Sequence, residues 1–253
     1  MDELGFHHTL HRPGTLLDVG AHDGAFALPF AALPASRVLA FEPLPAAFAR
    51  LRAAFGDPLP SHVELRQEAL GDRDGEAVLS MPLLDGAPQE QWASTAKGYD
   101  GAALGEPRVA ERRFAVPVRR LDGFGLRDLT AAKIDAEGAE YEVLRGARDT
   151  LLRCRPVLSI EIEERHRTGS TWAVPAFLDA LGYDTFWEHW DAWRPVAEFD
   201  RALMHRASPN PAVFEASDPY VFVFYALPRE GAEGMLARLR AAAPAQAGSP
   251  ARG

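Results

Sequence analysis

The strand–turn–helix segment at residues 16–26 constrains the fold of this chain more than any other. An apolar β-type run ends at Asp18, a turn with Gly20 and Gly24 follows, and a helix-like pattern begins directly after it. This order opens the nucleotide-binding part of an α/β domain, in which ligands lie at the carboxyl ends of the strands. We therefore expect Asp18, Gly20 and Gly24 at a cofactor site, with the glycines letting the backbone approach a ligand.

The turn departs from a dinucleotide-binding fingerprint at one position. That fingerprint reads Gly-x-Gly-x-x-Gly, and its second glycine lets the main chain approach a pyrophosphate. His22 occupies this position here. The sequence therefore favours a nucleoside ligand without a pyrophosphate, of which S-adenosylmethionine is the common example, and places His22 in the cofactor site. The alternative is a turn that only packs against the sheet.

Composition and charge are typical of one soluble globular protein. The chain has 253 residues, of which 47% are hydrophobic and 25% charged, enough for one large α/β domain. The net charge is -9 without a basic stripe, which argues against a nucleic-acid partner. No signal peptide and no apolar run of membrane-spanning length is present, so we expect a cytoplasmic protein without a membrane partner. Cys154 is the only cysteine, which excludes an intrachain disulfide.

Strand-like and helix-like segments alternate along the chain, which predicts a mostly parallel sheet with helices on both faces. We predict a single domain over residues 1–240, with a long substrate-side loop at 82–111 and a disordered tail at 241–253. A continuous helix is predicted over 139–153. Shorter extended runs are predicted at 76–81 and 112–118, and the main strands at 15–20, 37–42, 62–70, 132–135, 157–163, 183–187 and 220–227.

Acidic residues at the ends of the second and third strands are candidate cofactor ligands. Glu42 ends its strand 24 positions after Asp18, and a carboxylate there can accept hydrogen bonds from both ribose hydroxyls. Glu68 and Ala69 close the next strand, where an adenine would lie; Glu68 either meets the adenine amino group or is a surface acid. Asp18 is expected to accept hydrogen bonds from the glycine turn. It either also reaches the amino group of a methionine-like moiety or has a purely structural role.

A second group of polar residues follows the fourth and fifth strands. Asp135 ends one strand and should point at the ligand, while Glu161 and Glu163 share one face of the next strand and are followed by His166. Such residues form an oxygen-rich divalent metal site or a general base. The alternative is that one of the two glutamates only forms an ion pair with an arginine. Because no spacing here is diagnostic of a metal, we assign these four as catalytic residues and name no metal ligand.

Two further acids, Glu137 and Glu140, stand at the start of the helix that follows Asp135. Acidic side chains are favoured in this position by the helix dipole and by capping. Glu140 therefore has a structural explanation as good as a functional one, and Asp135 is the stronger functional candidate.

The motifs together resemble those of the FkbM-type methyltransferase family. The resemblance runs in order over residues 15–165 and is carried by the segments Leu17–Gly24, Phe41–Pro43, Lys133–Ala147 and Pro156–Glu161. It implies a seven-stranded Rossmann-like methyltransferase fold whose last strand is antiparallel, with S-adenosylmethionine as the cofactor. The family's cofactor positions correspond to Asp18, Gly20, Glu42 and Asp135.

The resemblance also implies an activity, the methylation of a hydroxyl oxygen on a sugar, polyketide or related small metabolite. An alcohol is a poor nucleophile, so a base or a divalent metal should take its proton. Two other functions stay open at this point. An NAD(P)-dependent oxidoreductase would explain the fold and Glu42 but not His22, and a non-catalytic cofactor-binding module would not need the acids after the fourth and fifth strands. The sequence predicts neither the acceptor molecule nor the oligomeric state.

Overall fold

The computed structural model describes residues 1–101, 108–189, 192–205 and 220–242. Its strands are β1 Gly14–Val19, β2 Ser36–Phe41, β3 Val63–Arg66, β4 Ala69–Leu70, β5 Gly75–Leu84, β6 Ala87–Pro88, β7 Val109–Arg119, β8 Leu129–Ile134, β9 Val157–Glu161, β10 Tyr183–His189, β11 Ala192–Pro195 and β12 Val223–Pro228. Its α-helices are α1 Glu3–Thr9, α2 Ala27–Ala32, α3 Pro45–Phe55, α4 Glu140–Gly146, α5 Arg148–Cys154, α6 Ser170–Ala180, α7 Arg201–Met204 and α8 Ala232–Ala242. Of these helices, none has the length and apolar character needed to cross a bilayer.

The main sheet confirms the predicted α/β fold. Its strands lie in the order β11-β10-β12-β9-β8-β1-β2-β3, and β1, β2, β3, β8 and β9 are parallel to one another. The last strand, β12, lies between β9 and β10 and is antiparallel to both, as predicted. The sheet has eight strands rather than seven, because β11 pairs antiparallel with the outer side of β10.

A second, smaller sheet with the order β4-β7-β5-β6 was not predicted. The predicted strand at 62–70 is divided between β3 in the main sheet and β4 in the small one. The predicted loop at 82–111 is shorter than expected, because β5 and β7 pair along their whole length, from Gly75 opposite Val118 to Leu84 opposite Val109. This pairing satisfies backbone groups that a loop would leave to water. Residues 102–107 of that range lie outside the described residues.

The helix predicted over 139–153 is interrupted at Ala147, between α4 and α5. The last residue of α4 must be a glycine, because a Cβ at Gly146 would lie 1.9 Å from the carbonyl oxygen of Gly71. The N-terminus of α5 is capped by a residue outside the helix. The carboxylate of Asp122 accepts hydrogen bonds from the backbone amides of Asp149 and Thr150 at 3.1 and 2.7 Å. Helix α8 continues through Ala242 and so includes the first two residues of the predicted tail at 241–253; residues 243–253 lie outside the described residues.

Hydrophobic residues cover both faces of the main sheet and hold its carboxyl edge in place. Phe41, Leu158 and Trp187 belong to one buried cluster, whereas Phe6 and Phe30 belong to another that includes α1 and α2. At the carboxyl edge, the amides of residues 20 and 21 both donate to the Phe41 carbonyl at 3.0 Å, and the amide of residue 135 donates to the Val19 carbonyl at 3.1 Å. The ends of β1, β2 and β8 therefore meet at one edge, where the predicted site residues lie.

Candidate active site

The turn after β1 is packed against the end of β8. Gly20 has a φ of 75°, and a Cβ on it would lie 2.0 Å from the carbonyl oxygen of Asp135. A Cβ on Gly24 would face the side chains of Leu51 and Leu28 at 3.1 and 3.3 Å. The turn needs glycine at these positions to pack against the protein itself, which differs from the predicted role of letting the backbone approach a ligand.

A cavity of about 310 Å³ lies at this edge, between the main sheet and the small sheet. Its size falls within the range of small-molecule sites. Leu79 of β5 and residues of the segment 90–95 line it together with the turn after β1. Of the residues predicted for the cofactor, Gly24 and Asp18 do not line the cavity, and those that do are Gly20, His22, Glu42, Glu68, Ala69 and Asp135.

Glu42 fixes the geometry of the turn while facing the cavity. Its side chain is buried, Oε2 accepts a hydrogen bond from the His22 amide at 2.8 Å, and Oε1 accepts one from the Leu44 amide at 2.7 Å. Burial raises the pKa of Glu42, and the two backbone hydrogen bonds offset part of that rise. Each carboxylate oxygen has a second lone pair, so Glu42 can accept further hydrogen bonds from a ligand.

Asp18 lies beneath the cavity, fully buried. Neither of its carboxylate oxygens makes a hydrogen bond of normal geometry with the described residues, so the predicted hydrogen bonds from the glycine turn are not formed there. Burial raises the pKa of Asp18 to about 7, although the positive charge of Lys133 and the nearby Ala27 amide act in the opposite direction. Lys133 is itself buried and lies with Nζ 3.0 Å from Oδ2 of Asp135. The two acids therefore share one buried cation.

Of the four residues predicted to be catalytic, only Asp135 lines the cavity. Glu161 ends β9, and Glu163 and His166 follow it, with Nε2 of His166 3.3 Å from Oε1 of Glu163. Burial alone would raise the pKa of Glu163, but hydrogen bonds from Arg165 and Tyr220 lower it. The structure brings Glu161, Glu163 and His166 together in a cluster beside the cavity.

Burial also shifts the pKa values of His166 and Glu161, the other two residues of this cluster. It lowers the pKa of His166 to about 4, so the imidazole is neutral at neutral pH, even though Glu163 acts to raise that pKa. The pKa of Glu161 is raised, first by burial and then by the charge of Asp135 and the contact with Glu163. His166 and Glu161 therefore lie next to the cavity with burial favouring the uncharged form of each.

Glu137 is a site residue that the sequence analysis assigned to the start of a helix. It lines the cavity, and its Oε2 is 3.4 Å from Nε2 of His166 and 3.2 Å from Nζ of Lys97. Burial raises the pKa of Glu137 to about 8. Oε1 of Glu140 accepts hydrogen bonds from the Ala136 and Gly138 amides at 3.0 and 2.9 Å and so holds the turn that carries Glu137. Helix α4 begins only at Glu140, so Glu137 belongs to the turn that follows β8. The run of acidic residues in this turn was the sequence signal that could have identified Glu137 as a site residue.

The small sheet is attached to both sides of the cavity mouth. Oγ of the buried Ser94 donates a hydrogen bond of 2.6 Å to the carbonyl oxygen of Glu137. On the other side, Arg50 of α3 forms an ion pair with Glu90. These contacts hold the segment between Glu90 and Ser94 at the cavity, which it lines.

Comparison with known proteins agrees with this architecture. The family described as the methyltransferase FkbM domain matches residues 18–185. The chain belongs to the FkbM methyltransferase family. It is therefore an S-adenosylmethionine-dependent methyltransferase, and the oxidoreductase alternative is wrong.

Two curated relatives and one solved structure illustrate the similarity of this FkbM methyltransferase to known proteins. It is 32% identical over 195 residues to the 2-O-methyltransferase NoeI of Sinorhizobium fredii, covering 74% of this chain and 75% of that protein. It is 30% identical over 145 residues to Methyltransferase 1 of Beauveria bassiana, covering 53% of this chain and 58% of that protein. A crystal structure of methyltransferase FkbM from Methylobacillus flagellatus has the same fold, with a TM-score of 0.50 and 16% identity, over 88% of this chain and 50% of that one.

The residues around the cavity fit the family's cofactor. Oε1 of Glu68 accepts a hydrogen bond from Arg119 at 3.2 Å, but Oε2 is buried without a partner among the described residues. Oδ1 of Asp135 is in the same situation. A buried acceptor without a donor is unfavourable, so these oxygens suit a ligand that carries N–H or O–H groups. S-adenosylmethionine carries such groups on its adenine, ribose and methionine parts.

Proposed function

We propose that this FkbM methyltransferase transfers a methyl group to a hydroxyl oxygen of a small metabolite such as a sugar or polyketide. The observation that carries the proposal is Oδ1 of Asp135, a buried carboxylate oxygen without a partner among the described residues, at the edge of the cavity and beside Glu137. The similarity to a 2-O-methyltransferase supports oxygen as the accepting atom. The net charge of -9 supports a small-molecule acceptor over a nucleic acid.

Each wall of the cavity would bind one part of the cofactor. Glu42 would accept hydrogen bonds from the ribose hydroxyls, because both of its oxygens face this region and retain free lone pairs. Glu68 would accept a hydrogen bond from the adenine amino group through its unpartnered Oε2, with Ala69 against the ring. The turn at Gly20 and His22 would contact the methionine end. Asp18 and Gly24 would support this turn from beneath rather than contact the ligand.

The transfer step needs an acceptor oxygen in line with the methyl group and a place for its proton. When bound, S-adenosylmethionine supplies a methyl group on a sulfonium, and the sulfur leaves with the electron pair of the C–S bond. Oδ1 of Asp135 would accept the hydroxyl proton of the acceptor, whose oxygen would take the methyl group. Lys133 holds the other carboxylate oxygen at 3.0 Å and so fixes the orientation of Asp135. Glu161, Glu163 and His166 would position the acceptor.

Transfer of a labelled methyl group tests the proposal. Purified protein is incubated with methyl-tritiated S-adenosylmethionine and a panel of saccharides and polyhydroxylated metabolites, each paired with its fully O-methylated derivative. We expect label on a free hydroxyl and none on the O-methylated partner. Label that enters amine-containing acceptors but no hydroxyl acceptor would show that oxygen is not the accepting atom.

Replacing the carboxylate after β8 tests the role of Asp135 within this reaction. Asp135→Asn should keep the dissociation constant for S-adenosylhomocysteine within several-fold but reduce kcat by about a hundredfold, the usual loss when a positioned acid–base group is removed. Asp128→Asn is the matched control, because Asp128 lies at the opposite end of the same strand and contacts Thr15 instead. Full turnover of Asp135→Asn would remove Asp135 from the transfer step.

A further inference from the structure

Three potential metal ligands converge beside the cavity, from two consecutive turns of the sheet edge. Glu137 lies in the turn after β8, Glu161 ends β9, and His166 lies in the turn after β9. One ligand atom from each of them lies within 4.8 Å of the other two. Neighbouring ligands of one cation lie about 3.0–3.4 Å apart for bonds of about 2.1 Å, so the three ligand atoms would move closer together by up to about 1.5 Å when the ion binds.

The charges around these residues are unevenly compensated. Asp135 is paired with Lys133, Glu137 with Lys97 and Glu163 with Arg165. Glu161 has no lysine or arginine nitrogen within 4.0 Å among the described residues, although it lies next to three other carboxylates. A cation at this position would give Glu161 the positively charged neighbour that the other three carboxylates already have.

The orientation of His166 provides a second, independent indication. Its side chain is only 5% exposed, and its Nε2 lies 3.4 Å from Oε2 of Glu137 and 3.3 Å from Oε1 of Glu163. Among the described residues its ring makes these two contacts but no hydrogen bond of normal geometry. The Nε2 atom of this nearly buried ring therefore faces two carboxylates without forming a good hydrogen bond. This is the position expected of a metal-binding imidazole. The tight turn helps, because Gly138 packs against the backbone of His166 with its Cβ position 3.2 Å from the carbonyl oxygen.

We propose that Glu137, Glu161 and His166 bind a divalent cation. Two carboxylate oxygens and one imidazole nitrogen suit a first-row ion such as Mn²⁺, because carboxylates suit Mg²⁺ and Mn²⁺ whereas imidazole favours the transition metals. Three protein ligands leave coordination positions open for other oxygens. The site is therefore of the open kind that binds a further ligand.

The cation also gives the acceptor a binding position, and this part rests on the proposed function. Residue 134 pairs with residue 160 in neighbouring strands, so Asp135 and Glu161 are adjacent at the sheet edge. An acceptor hydroxyl oxygen on an open position of the ion would lie beside Asp135, and a vicinal diol or hydroxy-carbonyl group could occupy two positions at once. The expected acceptor is therefore a metabolite with two neighbouring oxygens.

A Mn²⁺ titration followed by electron paramagnetic resonance of the free ion tests the site without any turnover. The full chain is titrated in the presence of saturating S-adenosylhomocysteine. We expect about one bound ion per chain, and an increase of at least tenfold in the dissociation constant for Glu161→Gln and for His166→Gln. Glu142→Gln is the matched control, because Glu142 lies on α4 in an exposed ion pair with Arg167, and it should bind Mn²⁺ as the wild type does.

The outcomes separate the cation site from the proposed function. S-adenosylhomocysteine binding by each variant first shows that it is folded. If the wild type binds neither Mn²⁺ nor Zn²⁺ at millimolar concentration, or if both site variants bind as tightly as the control, the cation site is refuted, while methyl transfer to a hydroxyl would still stand. If the ion binds as expected but no hydroxyl acceptor is methylated, the site stands and the proposed function fails. Methyl transfer that is unchanged by chelator would refute the role in acceptor binding.

Discussion

Among single residues, Glu42 combines a structural and a binding role in one side chain. Its two oxygens hold the amides of His22 and Leu44, and the same carboxylate faces the cavity. We expect Glu42→Gln to weaken S-adenosylhomocysteine binding by about 1.5–3 kcal/mol, the value of a hydrogen bond to a charged group, because the amide offers one acceptor oxygen instead of two. Isothermal titration calorimetry measures this as an increase of about tenfold or more in the dissociation constant.

The matched control for Glu42 is Glu64→Gln. Glu64 lies on the neighbouring β3 but is paired with Arg37 and Arg66 outside the cavity, so its replacement should leave binding unchanged. Equal affinities of the two variants, with both folded by circular dichroism, would exclude Glu42 from ribose binding.

Residues at the strand ends could be predicted from the sequence, whereas residues placed by a turn could not. Glu42 was predicted because a strand pattern ended at it, and local pattern is enough to locate a strand end. Glu137 was assigned to the start of a helix, because an acidic residue just before a segment with helical hydrophobic periodicity is as typical of a helix start as of a binding site. Its position depends on a φ of 52° and on the two amides that Glu140 holds. Its contact with His166 depends on the packing of a distant turn, which no local pattern encodes.

At the level of an element, the turn after β1 depends on the absence of a side chain at Gly20. Its φ is 75°, and a Cβ would lie 2.0 Å from a backbone oxygen, which cannot move without disturbing β8. Gly125 is a matched control, with a φ of 62° and nothing within 4 Å of its Cβ position. We expect Gly125→Ala to cost about 1–2 kcal/mol of unfolding free energy from the dihedral angle alone, and Gly20→Ala to cost clearly more. Urea denaturation of both variants measures the difference, and equal losses would show that the turn relaxes around a methyl group.

The elements that could not be predicted from the sequence are those whose formation depends on contacts between distant segments. The runs near β5 and β7 were predicted to be extended, but their pairing into a separate sheet joins residues more than 20 positions apart. The interruption between α4 and α5 at Ala147 was missed as well, and there the backbone of Gly71 packs directly against Gly146. Helical periodicity continues through this point, so only the packed structure shows that the helix stops there.

For the molecule as a whole, acid stability should depend on the attachment of α1. His7 is fully buried, and its Nε2 lies 2.8 Å from Oγ of Ser159 on β9. Burial lowers the pKa of His7 to about 3. An unfolded histidine takes up a proton below about pH 6.5. The folded protein does not do so until near pH 3, so the contribution of His7 to stability is complete above pH 6.5 and is lost as the pH falls towards 3.

This difference predicts a specific pH dependence. Between pH 7.5 and pH 5.0, the His7 term should reduce the unfolding free energy of the wild type by about 2 kcal/mol. His7→Gln lacks the titrating group, so its deficit relative to the wild type should shrink by that amount over the same interval. His62→Gln is the control, since His62 is exposed on the surface. A deficit of His7→Gln that is the same at both pH values would show that His7 is protonated in the folded state as well.

The division of the cavity between two sheets has a consequence for behaviour on heating. One wall belongs to the main sheet with its large core, while the other belongs to the small sheet, joined across the mouth through Ser94 and Glu90. Thermal motion that separates these walls destroys the binding site without exposing the main core. The temperature at which the enzyme stops working should therefore lie below the temperature at which it melts, and cooling should restore the activity lost in that interval.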